Sequence, residues 1–99
     1  MVAEVAPRAA WAAAQRGELR ILDLRTRAER SRYGWPPGVP KVSLVRHLIA
    51  PEGPEVAYLC QHANRSKLTG RGGAAEVAGG FVAWLDAGLP VERAAGQQR

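Results

Sequence analysis

One cysteine, one methionine and one phenylalanine occur in 99 residues, and a single cysteine excludes an internal disulfide. Packing and hydrogen bonding must therefore hold the fold, and Cys60 matters only as a thiol. No apolar run approaches the roughly 20 residues of a membrane span. The opening Met1-Val2-Ala3-Glu4 lacks the cationic start and long apolar middle of a signal peptide, so the expected compartment is the cytoplasm. Phosphate-cradling loops are missing as well: there is no GxxxxGK[ST], and Gly70-x-Gly72-Gly73 does not fit GxGxxG. No internal repeat or low-complexity block is visible. Histidine is scarce, and His47 has no second ligand one helical turn on, which leaves no case for a metal.

What is present is one domain's worth of core. At this length a second core would leave each half too little apolar surface to bury. Apolar residues at 46% against 23% charged exclude a disordered polar chain. The net charge of +5 comes from 14 Lys and Arg against 9 Asp and Glu, and it favours anionic partners. The basic residues are scattered and aromatics do not alternate with them at stacking distance, so no nucleic-acid partner is expected.

In chain order, Val2-Ala3-Glu4-Val5 reads as a short edge strand. Pro7 opens a helix through Ala14-Gln15, which Gly17 stops. Trp11 on that helix reads as a core anchor. The dense apolar stretch Leu19-Arg20-Ile21-Leu22-Asp23-Leu24 predicts a central strand of a parallel sheet, and helix followed by strand implies an α/β class. Asp23, Arg25 and Thr26 then fall at the carboxyl end of that strand, where open α/β sheets gather their functional groups. For Asp23 a structural role, fixing the following turn or pairing with an arginine, outweighs catalysis, because a carboxylate beside a thiol disfavours the thiolate.

Thr26-Arg27-Ala28-Glu29 matches a capping box and predicts a short helix through Arg32 or Tyr33. Gly34-Trp35-Pro36-Pro37-Gly38 ends it as a fixed loop. A brief strand is expected from Val39 to Val42, interrupted by Pro40. A helix capped by Ser43 should run to Ile49, ended by Pro51 to Pro54. Near the end, Ala74 to Ala78 reads as a strand and Phe81 to Ala87 as an amphipathic helix, stopped by Gly88 and Pro90.

The stretch around which these elements are organised is Cys60-Gln61-His62-Ala63-Asn64-Arg65-Ser66. It follows the apolar run Val56-Ala57-Tyr58-Leu59, a buried strand, and precedes Arg65 to Leu68, which can open a helix. A thiol at such a junction faces converging backbone N–H groups and the positive end of a helix dipole, which favour the thiolate form. The glycine-rich Lys67 to Gly73 that follows cannot carry a long helix.

The order of these motifs resembles the rhodanese family of sulfurtransferases. Ile21-Leu22-Asp23-Leu24-Arg25 is similar to the family's L-L-D-V-R strand, and Glu29, Gly34 and Pro37-Gly38 to its E-[FY]…G-H-I-P-G-A segment. Cys60 to Ser66 resembles the active loop C-x-x-G-N-R-S. Gly79-Gly80-Phe81-x-x-Trp84 with Ala87-Gly88-Leu89-Pro90-Val91 resembles the closing G-G-x-x-x-W…A-G-L-P-V signature. The resemblance spans roughly residues 5 to 92. The chain departs from the pattern in three places. Ala63 replaces a glycine, Trp35 replaces a histidine, and the span from Ser66 to Gly79 is several residues short.

The resemblance implies a rhodanese domain over residues 1–93 and a frayed tail over 94–99. Its α/β fold would have three layers, with a mainly parallel sheet of four to five short strands flanked by helices. Cys60 would be the nucleophile, taking a sulfane sulfur from an anionic donor such as thiosulfate and passing it to cyanide, a thiol or a sulfur-accepting protein. Backbone amides of Gln61, His62, Ala63, Asn64, Arg65 and Ser66 would cradle the sulfur, Arg65 would hold the donor, and Asp23 and Arg25 would support the loop. His62 stands open between acceptor contact and plain exposure, while Lys67 and Arg71 read as solvated surface. No metal, cofactor or membrane is called for. Four residues separate Cys60 from Arg65, one fewer than in the related Cys-x5-Arg phosphatases, so fewer amides would face a phosphoryl group. The substitutions at Ala63 and after Ser66 motivate the alternative of a binding or sulfur-relay module with little turnover.

Overall fold

Short apolar runs separated by helical stretches can pair in parallel only if a crossover returns the chain to the same edge. The computed structural model describes residues 4–42, 55–62 and 75–94 and realises that arrangement. Strands β1 (Glu4–Val5), β2 (Arg20–Asp23), β3 (Val56–Leu59) and β4 (Ala75–Val77) form a four-stranded sheet in the order β1-β4-β3-β2, with every pairing parallel. Helices α1 (Pro7–Gln15), α2 (Arg27–Tyr33) and α3 (Gly80–Asp86) accompany it. The helix expected from Ser43, the one opening at Arg65, the glycine-rich stretch 67–73 and the tail beyond Ala94 lie outside the described residues. Among the described residues no helix is long and apolar enough to cross a membrane.

All of β3 is buried, which requires cover on both faces and explains its uninterrupted apolar sequence. Ala57 and Leu59 face a cluster with Ile21, Val77, Phe81 and Trp84, against which Trp11 of α1 packs. Val56 and Tyr58 face the other way, with Leu22 and Leu24. Trp11 meets Trp84 edge to face, centroids 5.6 Å apart at 86°, and this joins α1 to α3 beneath the sheet. The indole nitrogen of Trp84, wholly buried, donates to the Pro90 carbonyl at 3.0 Å, so its one polar group is satisfied.

Among the described residues β2 stands last in the four-strand order, and its outer side is met at Asp23 by a parallel bridge to Lys41. There the Asp23 amide donates to the Pro40 carbonyl at 2.9 Å and the Val42 amide to the Asp23 carbonyl at 2.8 Å. Pro40 lacks an N–H, so the strand expected over Val39 to Val42 shrinks to one bridge at Lys41.

Helix α2 begins as its sequence requires. The Glu29 amide donates to Thr26 Oγ1 at 3.1 Å and the Thr26 amide to Glu29 Oε1 at 2.9 Å, completing the capping box. It ends at Gly34, whose φ of 87° and ψ of −177° place it in a region that only glycine occupies readily. A Cβ there would stand 2.6 Å from both the Glu92 carbonyl oxygen and Val91 Cγ1. The close approach serves the paired bonds between Trp35 and Glu92, 2.8 and 2.7 Å, which tie the C-terminal segment to the loop after α2. Gly34→Ala is therefore expected to lower stability by at least about 2 kcal/mol, from backbone strain and overpacking together. Urea unfolding followed by circular dichroism measures it, and an unchanged midpoint would contradict the contact.

Candidate active site

The register of β2 and β3 sets Asp23 opposite Leu59, so the residues just beyond them, Leu24 and Cys60, leave the sheet together at its carboxyl edge. The Leu24 amide donates to the Leu59 carbonyl at 2.8 Å and closes the last rung. Cys60 is buried at 1% exposure, Gln61 is buried beside it and His62 is exposed. The turn they start is held from α3. The Phe81 amide donates to the Cys60 carbonyl at 2.8 Å and the Val82 amide to the Gln61 carbonyl at 3.2 Å. Amides of a first helical turn have no partner within their own helix, and here they fix the backbone that carries the thiol.

Beneath the turn lies a buried ionic network. Arg25 and Asp23 are both without solvent exposure. The Arg25 amide donates to Asp23 Oδ1 at 2.9 Å, its Nε to the same oxygen at 3.1 Å, and its Nη2 to Oδ2 at 2.9 Å. The remaining donors reach outward: Nη2 to the Gly34 carbonyl at 2.7 Å and Nη1 to Gln61 Oε1 at 3.2 Å. The guanidinium also lies 3.8 Å from the centroid of the Phe81 ring, which adds a cation–π contact. Arg30 from α2 completes the set, its Nη1 donating to Asp23 Oδ2 at 2.7 Å. Two guanidiniums thus share one carboxylate, which leaves net positive charge below the Cys60 turn and favours an anion above it.

Of the residues singled out in the sequence, Cys60, Gln61, Asp23 and Arg25 come together at one edge, and His62 lies at its mouth. Ala63, Asn64, Arg65 and Ser66 lie outside the described residues. Asp23 has the structural pairing expected of it, with the arginine two residues on. Three contributors were missed: Arg30, the Gly34 carbonyl and the Phe81 ring. Arg30 sits on an exposed-looking helix with nothing in its spacing to tie it to a strand, so only the packed fold reveals the pair. Among the described residues no group of three or more His, Cys, Asp or Glu gathers to hold a metal ion.

No protein-family model and no curated protein matches the sequence. Solved structures do. A rhodanese-related protein from Thermoplasma volcanium superimposes with a TM-score of 0.73 over 91% of this chain and 97% of its own, at 20% identity. The polysulfide-sulfur transferase homodimer of Wolinella succinogenes gives 0.72 over 99% of this chain and 83% of its own, at 21% identity. A protein of unknown function from Rhodopseudomonas palustris, described as a possible tyrosine phosphatase, gives 0.74 over 92% and 85%, at 27% identity. The class defined by fold is therefore plain: an α/β domain with the rhodanese-like fold. This agrees with the resemblance read from the motifs.

Proposed function

We propose that the protein is a sulfurtransferase that carries a sulfane sulfur as a persulfide on Cys60. The observation that supports this best is the setting of Cys60. It is the first residue beyond a buried strand, its carbonyl is fixed by an α3 amide, and its neighbour Gln61 is fixed by Arg25. A nucleophile held in this way loses little freedom on reaction, and the net positive charge below it suits an anionic sulfur.

In the proposed cycle the Cys60 thiolate attacks the outer sulfur of thiosulfate. The sulfur–sulfur bond of the donor breaks, its electron pair leaves with sulfite, and Cys60 becomes a persulfide. Cyanide or a thiolate, free or on a partner protein, then takes the outer sulfur and returns the Cys60 thiolate. Amides of Gln61 to Ser66 cradle the transferred sulfur, Arg65 holds the anionic donor, and no cofactor is required. On the same reading the protein works in the cytoplasm, where thiols are kept reduced.

Incubation with thiosulfate is expected to add ~32 Da, the mass of one sulfur, to the intact protein. Mass spectrometry reads it directly, and no adduct would refute the proposal. A loaded protein without thiosulfate:cyanide turnover would indicate a relay module in place of an enzyme. The likeness to a possible tyrosine phosphatase makes phosphate-ester hydrolysis the rival chemistry. Hydrolysis of p-nitrophenyl phosphate by a protein that thiosulfate does not load would establish that rival.

A further inference from the structure

A cleft of about 250 Å³ opens between α2 and the turn after Cys60, lined by Ala28, Glu29, Arg32, Tyr33, Gln61 and His62. Its lining includes the buried Gln61, the neighbour of Cys60. Two of its walls carry chemistry that the sulfur cycle does not use. Arg32 is exposed on the last turn of α2, and among the described residues it has no carboxylate partner, only the Tyr33 ring, whose centroid lies 5.5 Å from its guanidinium. Every other arginine around the Asp23 network is committed: Arg25 and Arg30 are both bonded to Asp23. Glu29, the one carboxylate of the cleft, turns its Oε1 to the Thr26 amide and hydroxyl, 2.9 and 3.3 Å away, at the opposite end of the helix from Arg32. The cleft thus sets the exposed Arg32 guanidinium on the same wall as the residues that follow Cys60, Gln61 and His62.

Resting on the sulfurtransferase reading, we propose that this cleft is the acceptor subsite and that Arg32 selects small thiols bearing a carboxylate. The volume is just below the usual range of small-molecule sites, which suits a ligand of a few heavy atoms and is small for a protein surface. The acceptor's carboxylate pairs with the Arg32 fork while its sulfur reaches past His62 toward Cys60. The acceptor enters as a thiolate and attacks the outer sulfur of the persulfide. The bond from that sulfur to Cys60 Sγ breaks, and its electron pair stays on Sγ. The product is the acceptor's persulfide anion and the enzyme regains its thiolate, so no oxidant or reductant enters.

The test compares 3-mercaptopropionate with 2-mercaptoethanol as acceptors from the thiosulfate-loaded protein. Arg32→Ala is expected to lower the ratio of kcat/KM for the anionic over the neutral thiol by about five- to tenfold, the loss expected of a charge-assisted pair. Arg27→Ala, a charge removed from the solvent side of the same helix, should leave that ratio where it was. A second measurement needs no turnover. Titration of the unloaded protein with 3-(methylthio)propionate, which cannot react, should shift the amide resonances of Arg32, Gln61 and His62 in the wild type and weaken at least fivefold in Arg32→Ala. An unchanged ratio, an equal fall for both thiols or both variants, or binding indifferent to Arg32 would overturn the subsite. Binding that depends on Arg32 in a protein that thiosulfate fails to load would keep the subsite and reject the sulfur donor.

Discussion

Arg25→Met is expected to destabilise the domain by about 3–5 kcal/mol, the cost of breaking a wholly buried ion pair from one side. The size of the loss follows from what is left behind. Methionine fills the stem of the arginine and keeps apolar contact with Phe81, yet it can donate nothing. Asp23 would keep the backbone amide of residue 25 and, as its one cation among the described residues, Arg30, which is 17% exposed in its side chain and can bring solvent with it. Gln61 Oε1 and the Gly34 carbonyl would each lose a charged donor in a buried place. For a chain of this length each kcal/mol is worth about 4–8 °C in Tm, so the midpoint should fall by more than 10 °C. Arg25→Lys separates charge from geometry. It restores a cation but not the planar fork that reaches Asp23, Gly34 and Gln61 together, and should recover only part of the loss. Thermal and urea unfolding would check both variants; a loss under about 1 kcal/mol for Arg25→Met would reduce the buried network to the worth of a surface pair.

The network also explains what could be read from residues alone. The capping box Thr26–Glu29 is a local code, written in side chains three positions apart, and it formed as written. The strand of Ile21 to Asp23, the run of Val56 to Leu59 and the helix holding Phe81 and Trp84 are local codes too, because burial periodicity survives in one dimension. Lateral order is different. The bridge that joins the outer side of β2 to Lys41 is a contact between stretches well apart in the chain, with nothing in the local pattern to announce it. The site divides in the same way. Asp23 is legible as a carboxylate that fixes the following turn or pairs with an arginine, whereas Arg30 and Phe81 join the network only through the packing of two helices onto one sheet edge.

The arrangement links fold stability to the state of the turn. Arg25 bonds both Asp23 and Gln61, so any force that reorients the turn after Cys60 acts on a wholly buried ion pair. The α3 amides hold the Cys60 and Gln61 carbonyls of the same turn. A turn held through both its backbone and its Gln61 side chain would stay in one place through the proposed cycle, which is what preorganised stabilisation demands.

Replacing Cys60 should have the largest effect on activity: Cys60→Ser is expected to lower thiosulfate:cyanide turnover by at least about a thousandfold, the scale lost when a nucleophile is removed. The serine oxygen is close in shape to the thiol but cannot hold a sulfane sulfur, and the ~32 Da adduct should vanish with it. Because the sequence contains one cysteine, the mass of the intact protein assigns the sulfur without digestion, and no second thiol can take over. Cys60 is 1% exposed, so a hydroxyl there carries a polar cost of its own; Cys60→Ala avoids that cost and should be equally inactive while unfolding close to the wild type. Turnover retained in Cys60→Ala would show that sulfur passes between donor and acceptor without a covalent stop on the protein, and the clamped turn would then be a binding platform for both. Lost turnover in a variant of unchanged Tm separates chemistry from folding, since Arg25→Met is expected to depress both and Cys60→Ala only one.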